Sequence, residues 1–165
     1  MDITDQVRPG ESASVVLTIA SSSITQWWRP EKGGIRRDAY LMALPPVNLA
    51  SFHVTTSFGA DPANAMMQVH LALVNQSETT AEQPSIRLTL RDDTGTVVPI
   101  GEAAHFKVPS LSPGERRTMQ LSVPVQKPKL WSPDHPNLYR LEASLSSTQT
   151  MRSDRTFGFR ELTVD

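Results

Sequence analysis

Hydrophobic and polar residues alternate along most of this chain with a period of two. Leu141, Ala143 and Leu145 alternate with polar or charged neighbours, and the same pattern recurs around Ile86 and Met119. Because successive side chains of a β-strand point to opposite faces, each such segment offers one face to a core and one to water. No segment keeps a 3.6-residue apolar period over three helical turns. The pattern therefore predicts an all-β chain.

Turn signals separate seven predicted strands in the second part of the sequence. The pairs Pro9-Gly10 and Pro113-Gly114 favour type II turns, and Asp93-Thr94-Gly95 favours a hairpin. Seven short strands in about 115 residues are typical of an immunoglobulin-like β-sandwich. The strands are expected near residues 49–56, 65–75, 86–92, 104–108, 116–125, 138–145 and 151–159.

A domain boundary is predicted near Pro45-Pro46. Before it we expect a strand through Val15, Leu17 and Ile19, a tryptophan-rich loop, and a second strand at residues 39–44. Two or three strands do not bury enough apolar area for independent stability. Residues 1–46 are therefore expected to be an incomplete domain with an exposed apolar edge that favours self-association, and residues 47–165 a complete sandwich.

The amino-acid composition argues against several classes of function. The 165 residues carry 16 Lys and Arg and 17 Asp and Glu, spread along the chain, so no basic stripe offers a path for a phosphate backbone. There is no cysteine, which excludes a disulfide framework and a thiolate metal site. No apolar run approaches the roughly 20 residues that a membrane span needs, and no signal peptide is visible. We expect a cytoplasmic protein that binds neither nucleic acid nor membrane.

Three stretches, in matching order and separation, resemble glycoside hydrolase family 2, which holds β-galactosidases, β-glucuronidases and β-mannosidases. Residues 33–41 (GGIRRDAYL) with PPV at 45–47 resemble the end of the family's jelly-roll, sugar-binding domain. Residues 130–139 (LWSPDHPNLY) with FGFRE at 157–161 resemble the end of its immunoglobulin-like domain. DITD at 2–5 with RPGE at 8–11 resembles a stretch inside the jelly roll. The resemblance implies an immunoglobulin-like sandwich preceded by a few strands of an incomplete jelly roll.

The resemblance also implies that the catalytic machinery lies elsewhere. Family members are retaining glycosidases whose paired Glu residues, about 5 Å apart, lie on a (β/α)8 barrel that would begin after Glu161. We expect a fragment, a split gene product or an excised piece that scaffolds the absent barrel, its main partner, with no catalytic residue and no cofactor. The parent enzyme would be an exo-β-glycosidase of the β-galactosidase type. The alternatives are a free-standing carbohydrate-binding sandwich and a protein-interaction module.

Candidate substrate-binding residues are Thr25, Gln26, Trp28 and Arg29. They lie where many β-galactosidases have DQ-x-W or DQWW, whose Asp reaches the sugar and a sodium ion. Thr25 stands at the Asp position, and a hydroxyl lacks the charge that holds a cation. Trp28 either faces a sugar ring or packs in a core or between domains.

The motifs outside this segment are expected to be structural, and no metal site is predicted. Trp131 is expected to plug the end of the sandwich core, and Arg160 and Asp38 to hold loops by charge-assisted hydrogen bonds. Phe157 and Phe159 are expected on one face of the last strand. No histidine has a partner two or four residues away, so metal-ligand spacing is missing.

Overall fold

The structure is a computed structural model that describes residues 3–8, 10–18, 35, 37–59 and 63–160. The chain divides into two compact units, Met1–Met42 and Ala43–Asp165. The assignment of residues 1–46 to a jelly-roll remnant and of 47–165 to an immunoglobulin-like domain stays a prediction.

The first unit differs from the sequence prediction in its secondary structure. It contains a 3₁₀ turn at Thr4–Gln6, and its described segments 10–18 and 37–42 form no strand. The strands predicted through Val15 and at residues 39–44 are therefore wrong within the described residues. A strand requires a neighbour to receive its backbone hydrogen bonds, and these segments pair with none. The apolar side chains are exposed as expected, with Val16 at 85%.

The described residues of the second unit form eight β-strands. They are β1 (Val47–Phe58), β2 (Asn64–Asn75), β3 (Ser85–Arg91), β4 (Val97–Val98), β5 (His105–Lys107), β6 (Arg116–Gln126), β7 (Tyr139–Ser146) and β8 (Thr150–Phe157). A 3₁₀ turn at Gly101–Ala104 precedes β5. All seven predicted strands are present, and β4, only two residues long, is an addition.

The strands form two antiparallel sheets. One has the order β1-β2-β6, and the other has the order β4-β3-β7-β8, with β5 also paired to β3. This all-β, two-sheet architecture confirms the predicted immunoglobulin-like sandwich.

The core follows the predicted alternation. In β3 the side chains of Ile86, Leu88 and Leu90 are buried, whereas Arg87 and Arg91 are exposed. The same alternation in β2 and β7 sends Val69, Leu71, Leu141 and Leu145 to the core. Full burial of each aliphatic side chain stabilises the fold by about 1.5–3 kcal/mol.

The edge strands β1 and β8 lie against each other and close one side of the sandwich. The Arg155 Nε donates a hydrogen bond of 2.9 Å to the Phe52 carbonyl oxygen, and its guanidinium lies 5.6 Å from the centre of the Phe52 ring. Further along, the Thr56 hydroxyl donates to the Arg160 carbonyl oxygen at 2.8 Å. These contacts give edge groups of β1 partners from the other sheet.

The predicted turns form as the sequence indicates. Gly114 has φ +72°, and the Glu115 N–H donates to the Ser112 carbonyl oxygen at 3.0 Å. Gly10 has φ +84°, and the Glu11 N–H donates to the Arg8 carbonyl oxygen at 3.1 Å. These positive φ values are accessible to glycine without a steric penalty.

Candidate functional site

The predicted substrate-binding residues, Thr25, Gln26, Trp28 and Arg29, lie outside the residues that the structure describes. Their role stays a prediction.

The LWSPDHPNLY motif forms a closed loop between β6 and β7. Ser132 and His135 exchange backbone hydrogen bonds of 3.0 and 3.1 Å, and the His135 N–H also lies 3.0 Å from the Ser132 hydroxyl oxygen. The Asn137 side-chain amide donates to the Leu130 carbonyl oxygen at 2.8 Å, which ties the two ends of the loop together. Trp131 and Pro136 form an antiparallel bridge across it. Local hydrogen bonds thus fix the loop's shape.

This loop is fastened to the segment that follows β8. The Trp131 N–H donates to the Phe159 carbonyl oxygen at 2.9 Å, and Leu130 and Phe159 form a parallel bridge. A Cβ on Gly158 would lie 2.6 Å from the Trp131 Cβ, so only glycine leaves room for this contact. The Arg160 guanidinium covers the Trp131 ring at 4.8 Å from its centre, a cation–π arrangement.

Phe159, rather than Trp131, fills this end of the core. Phe159 has no exposed surface, and its ring packs edge-on against Tyr139 at 4.9 Å and against Phe157 at 5.3 Å. The Tyr139 hydroxyl accepts a hydrogen bond of 2.8 Å from the Lys129 N–H. Trp131 is only half-buried, so the prediction that it plugs the core is wrong, because its ring lies flat under Arg160 at the surface. The hydrogen bonds predicted for the side chains of Arg160 and Asp38 are not among those of the described residues.

A surface concavity of about 720 Å³ lies beside the fastened loop. We call it the Trp131 groove, and its lining includes His53, Thr55, Trp131, Leu138, Phe157 and Arg160. Leu138 and the neighbouring Leu130 keep 42% and 44% of their surface exposed. Aromatic rings, an arginine and exposed leucines with a polar rim are typical of a protein–protein contact.

The described carboxylates that make side-chain contacts stabilise turns or form ion pairs, except that Glu82 accepts a hydrogen bond of 2.8 Å from the Ser110 hydroxyl. Asp92 accepts hydrogen bonds at Oδ1 from the Thr94 hydroxyl and from the N–H groups of Thr94 and Thr96, which closes the β3–β4 hairpin. Glu115 accepts from the Ser112 N–H and pairs with Arg117. No set of three or more His, Asp or Glu residues able to hold a metal ion occurs in the described part of the chain.

The pKa values of Asp92 and Glu115 are both lowered from their ordinary values. The hydrogen bond from the Thr94 hydroxyl is the main cause that lowers the pKa of Asp92, helped by two backbone N–H groups and Lys129 against an opposing effect of desolvation. The Ser112 N–H is the main cause that lowers the pKa of Glu115, and Arg117 adds to it against desolvation. A lowered pKa does not suit either group to act as the general acid of a glycosidase, which needs a raised pKa.

Among the described residues, no helix has both the length and the apolar character that a membrane crossing requires.

The two sheets and the fastened loop define an all-β domain of the immunoglobulin-like sandwich class. The sequence model of the family described as Glycosyl hydrolases family 2 matches residues 47–160, more than half of the chain. The chain belongs to this family.

Relatives in the family are far longer than this chain. A β-galactosidase of Clostridium acetobutylicum is 32% identical over 145 residues, which cover 85% of this chain and 14% of the relative. A β-galactosidase of Priestia megaterium is 27% identical over 155 residues, 88% of this chain and 14% of the relative. The chain thus spans about one seventh of these relatives.

Solved structures share the fold. A family 2 member from Bacteroides cellulosilyticus superimposes with a TM-score of 0.63 at 22% identity, covering 73% of this chain and 16% of that protein. A family 2 β-glucuronidase superimposes with a TM-score of 0.61 at 14% identity, covering 72% of this chain and 13% of that protein.

Proposed function

We propose that this chain is a non-catalytic β-domain of a family 2 exo-β-glycosidase and that it scaffolds the enzyme's catalytic barrel. The family match over residues 47–160 carries the proposal. A cytoplasmic location is part of the proposal on sequence grounds alone.

The parent enzyme is proposed to be of the β-galactosidase type. The Clostridium acetobutylicum and Priestia megaterium relatives both carry that name, at 32% and 27% identity. The β-glucuronidase neighbour is only 14% identical and supports the fold alone.

The barrel is proposed to contact the sandwich at the Trp131 groove. This groove includes Arg160, the residue at which the family match ends. The groove is held in shape by the Trp131–Phe159 hydrogen bond and by the close contact of Trp131 with Gly158. Leu130 and Leu138 beside it have apolar surface to bury against a partner.

A hydrolysis assay tests the non-catalytic part of the proposal. The purified chain is incubated with nitrophenyl β-galactoside, β-glucuronide and β-mannoside, and we expect no release of nitrophenol above the buffer blank. Release that scales with protein concentration would refute the proposal. Calorimetry with galactose separates the carbohydrate-binding alternative, since binding at millimolar concentration or below would favour a free-standing sugar-binding module.

A further inference from the structure

Two histidines lie directly opposite each other on neighbouring strands of the three-stranded sheet. His53 of β1 is the register partner of His70 of β2, although the two are 17 residues apart in sequence (70 minus 53). Their ring centres are 6.3 Å apart, and the ring planes are inclined by 43°. His53 is exposed and His70 is half-buried, so water and ions reach the pair from solvent.

The pair's neighbours in strand register are polar and uncharged, whereas Arg160 lines the same groove as His53. The nearest of these register neighbours are Thr55, Gln68 and Gln120. The Gln68 side-chain oxygen accepts from the Ser122 hydroxyl at 2.7 Å and from the Gln120 amide at 3.4 Å. The Gln68 and Gln120 side chains are thus hydrogen-bonded to each other. None of Thr55, Gln68 and Gln120 carries a charge that would interact with the imidazoles.

We propose that His53 and His70 form a two-imidazole site for a late first-row divalent cation, with water in the remaining coordination positions. Neutral imidazole nitrogens bind Cu²⁺, Ni²⁺ and Zn²⁺ well. With metal–nitrogen distances of about 2.0–2.1 Å, two imidazoles on one ion have ring centres roughly 5–6.4 Å apart, depending on the angle at the metal. The observed 6.3 Å lies at the upper end of that range, where the nitrogen–metal–nitrogen angle approaches about 180°, so a bent chelate requires side-chain rotations that bring the two rings closer together.

This site goes beyond the proposed scaffolding function and does not depend on it. The strand β1 lies at an edge of its sheet, and a metal bound to both histidines would link it to β2. A ligand that binds only the folded state at a concentration 100 times its Kd shifts the folding equilibrium by about 100-fold. The metal would therefore stabilise the edge of the sandwich.

Calorimetric titration of the full chain with NiCl₂ tests the proposal. We expect one ion per chain, and we expect His53→Gln and His70→Gln each to weaken binding by at least about tenfold, as loss of one of two ligands requires. The matched controls are His105→Gln and His135→Gln, which remove the other exposed histidines and should leave binding unchanged. Equal loss in all four variants, or undiminished binding in His53→Gln and His70→Gln, would overturn the site.

A second measurement covers the case in which a variant fails to fold. Electron paramagnetic resonance of the wild-type chain with one equivalent of Cu²⁺ should show coupling to two imidazole nitrogens. A spectrum with a single coupled nitrogen, or with none, would overturn the site without the use of any variant.

Discussion

Replacing Gly158 by alanine perturbs the contact that fastens the LWSPDHPNLY loop to the end of the sandwich. The added Cβ would lie 2.6 Å from the Trp131 Cβ and 2.7 Å from its Cγ. Because Cβ and Cγ lie at the base of the Trp131 side chain, rotating the indole ring about the Cβ–Cγ bond does not relieve the clash with the added Cβ. The backbone of one segment must move, and the Trp131–Phe159 hydrogen bond lies on that backbone.

The magnitude follows from two opposing contributions. Forcing one extra carbon into a packed contact costs about 1–3 kcal/mol. Alanine also restricts the unfolded chain, which stabilises the folded state by about 0.4–1 kcal/mol. The net loss therefore lies between about 0 and 2.6 kcal/mol, which for a domain of this size lowers the Tm by up to roughly 10 °C.

Thermal unfolding followed by circular dichroism measures this loss, and Gly59→Ala is the matched control. Gly59 is exposed, and a Cβ added there meets nothing within 4 Å. We expect the control to unfold at the wild-type Tm or slightly above it, because only the unfolded-state contribution remains. In a Trp131→Ala background two of the three close atoms are absent, so Gly158→Ala should cost less there. A Gly158→Ala protein that unfolds with the Gly59→Ala protein would refute the reasoning.

Three further predictions concern stability and association. Asn75→Ala should lower the free energy of unfolding by about 2–4 kcal/mol in urea titrations, because the buried Asn75 side chain donates to three carbonyl oxygens and accepts two hydrogen bonds from Ser77, all of which are lost together. A loss below roughly 0.5 kcal/mol, that of a surface substitution, would contradict it. Asp92→Asn should destabilise the fold most near neutral pH, and the difference in stability from wild type should shrink as the pH falls below the ordinary Asp pKa of 3.8, because a carboxyl group with a lowered folded-state pKa adds stability only above that range. A pH-independent difference would count against this prediction. The control is Asp134→Asn, on an exposed loop. The full chain should elute from a sizing column as oligomers, because Val16 and its apolar neighbours are exposed, whereas residues 47–165 alone should be monodisperse. Elution of the full chain as a monodisperse monomer would contradict this prediction.

The sequence predicted the second unit well because burial in strands such as β3 and β7 alternates with a period of two. Alternation alone assigns Leu141, Ala143 and Leu145 to a core face, and all three are buried. The short strand β4 escaped prediction, since two residues are too few to show a period. Strands predicted from alternation in the first unit do not form in its described residues, since alternation marks a face but does not supply a pairing partner.

The site could be predicted only in part, because its contacts depend on register and close approach. Trp131 and Phe159 were both singled out, but size alone assigned the core position to the wrong ring. The flanking of Gly158 by two phenylalanines was the available signal for its packing against Trp131. The pairing of His53 with His70 follows only from the register of β1 on β2, and sequence spacing gave no sign of it.

A domain exchange tests the scaffolding proposal most directly. Residues 47–160 would replace the matching segment of the Clostridium acetobutylicum β-galactosidase, which is 32% identical to this chain over 145 residues. The rate at which this exchanged protein hydrolyses nitrophenyl β-galactoside would be compared with the rate of a deletion variant that lacks the segment. We predict that the exchanged protein hydrolyses the substrate well above the deletion variant, and that Gly158→Ala in the exchanged segment reduces this activity. A folded exchanged protein that is no more active than the deletion variant would contradict the account.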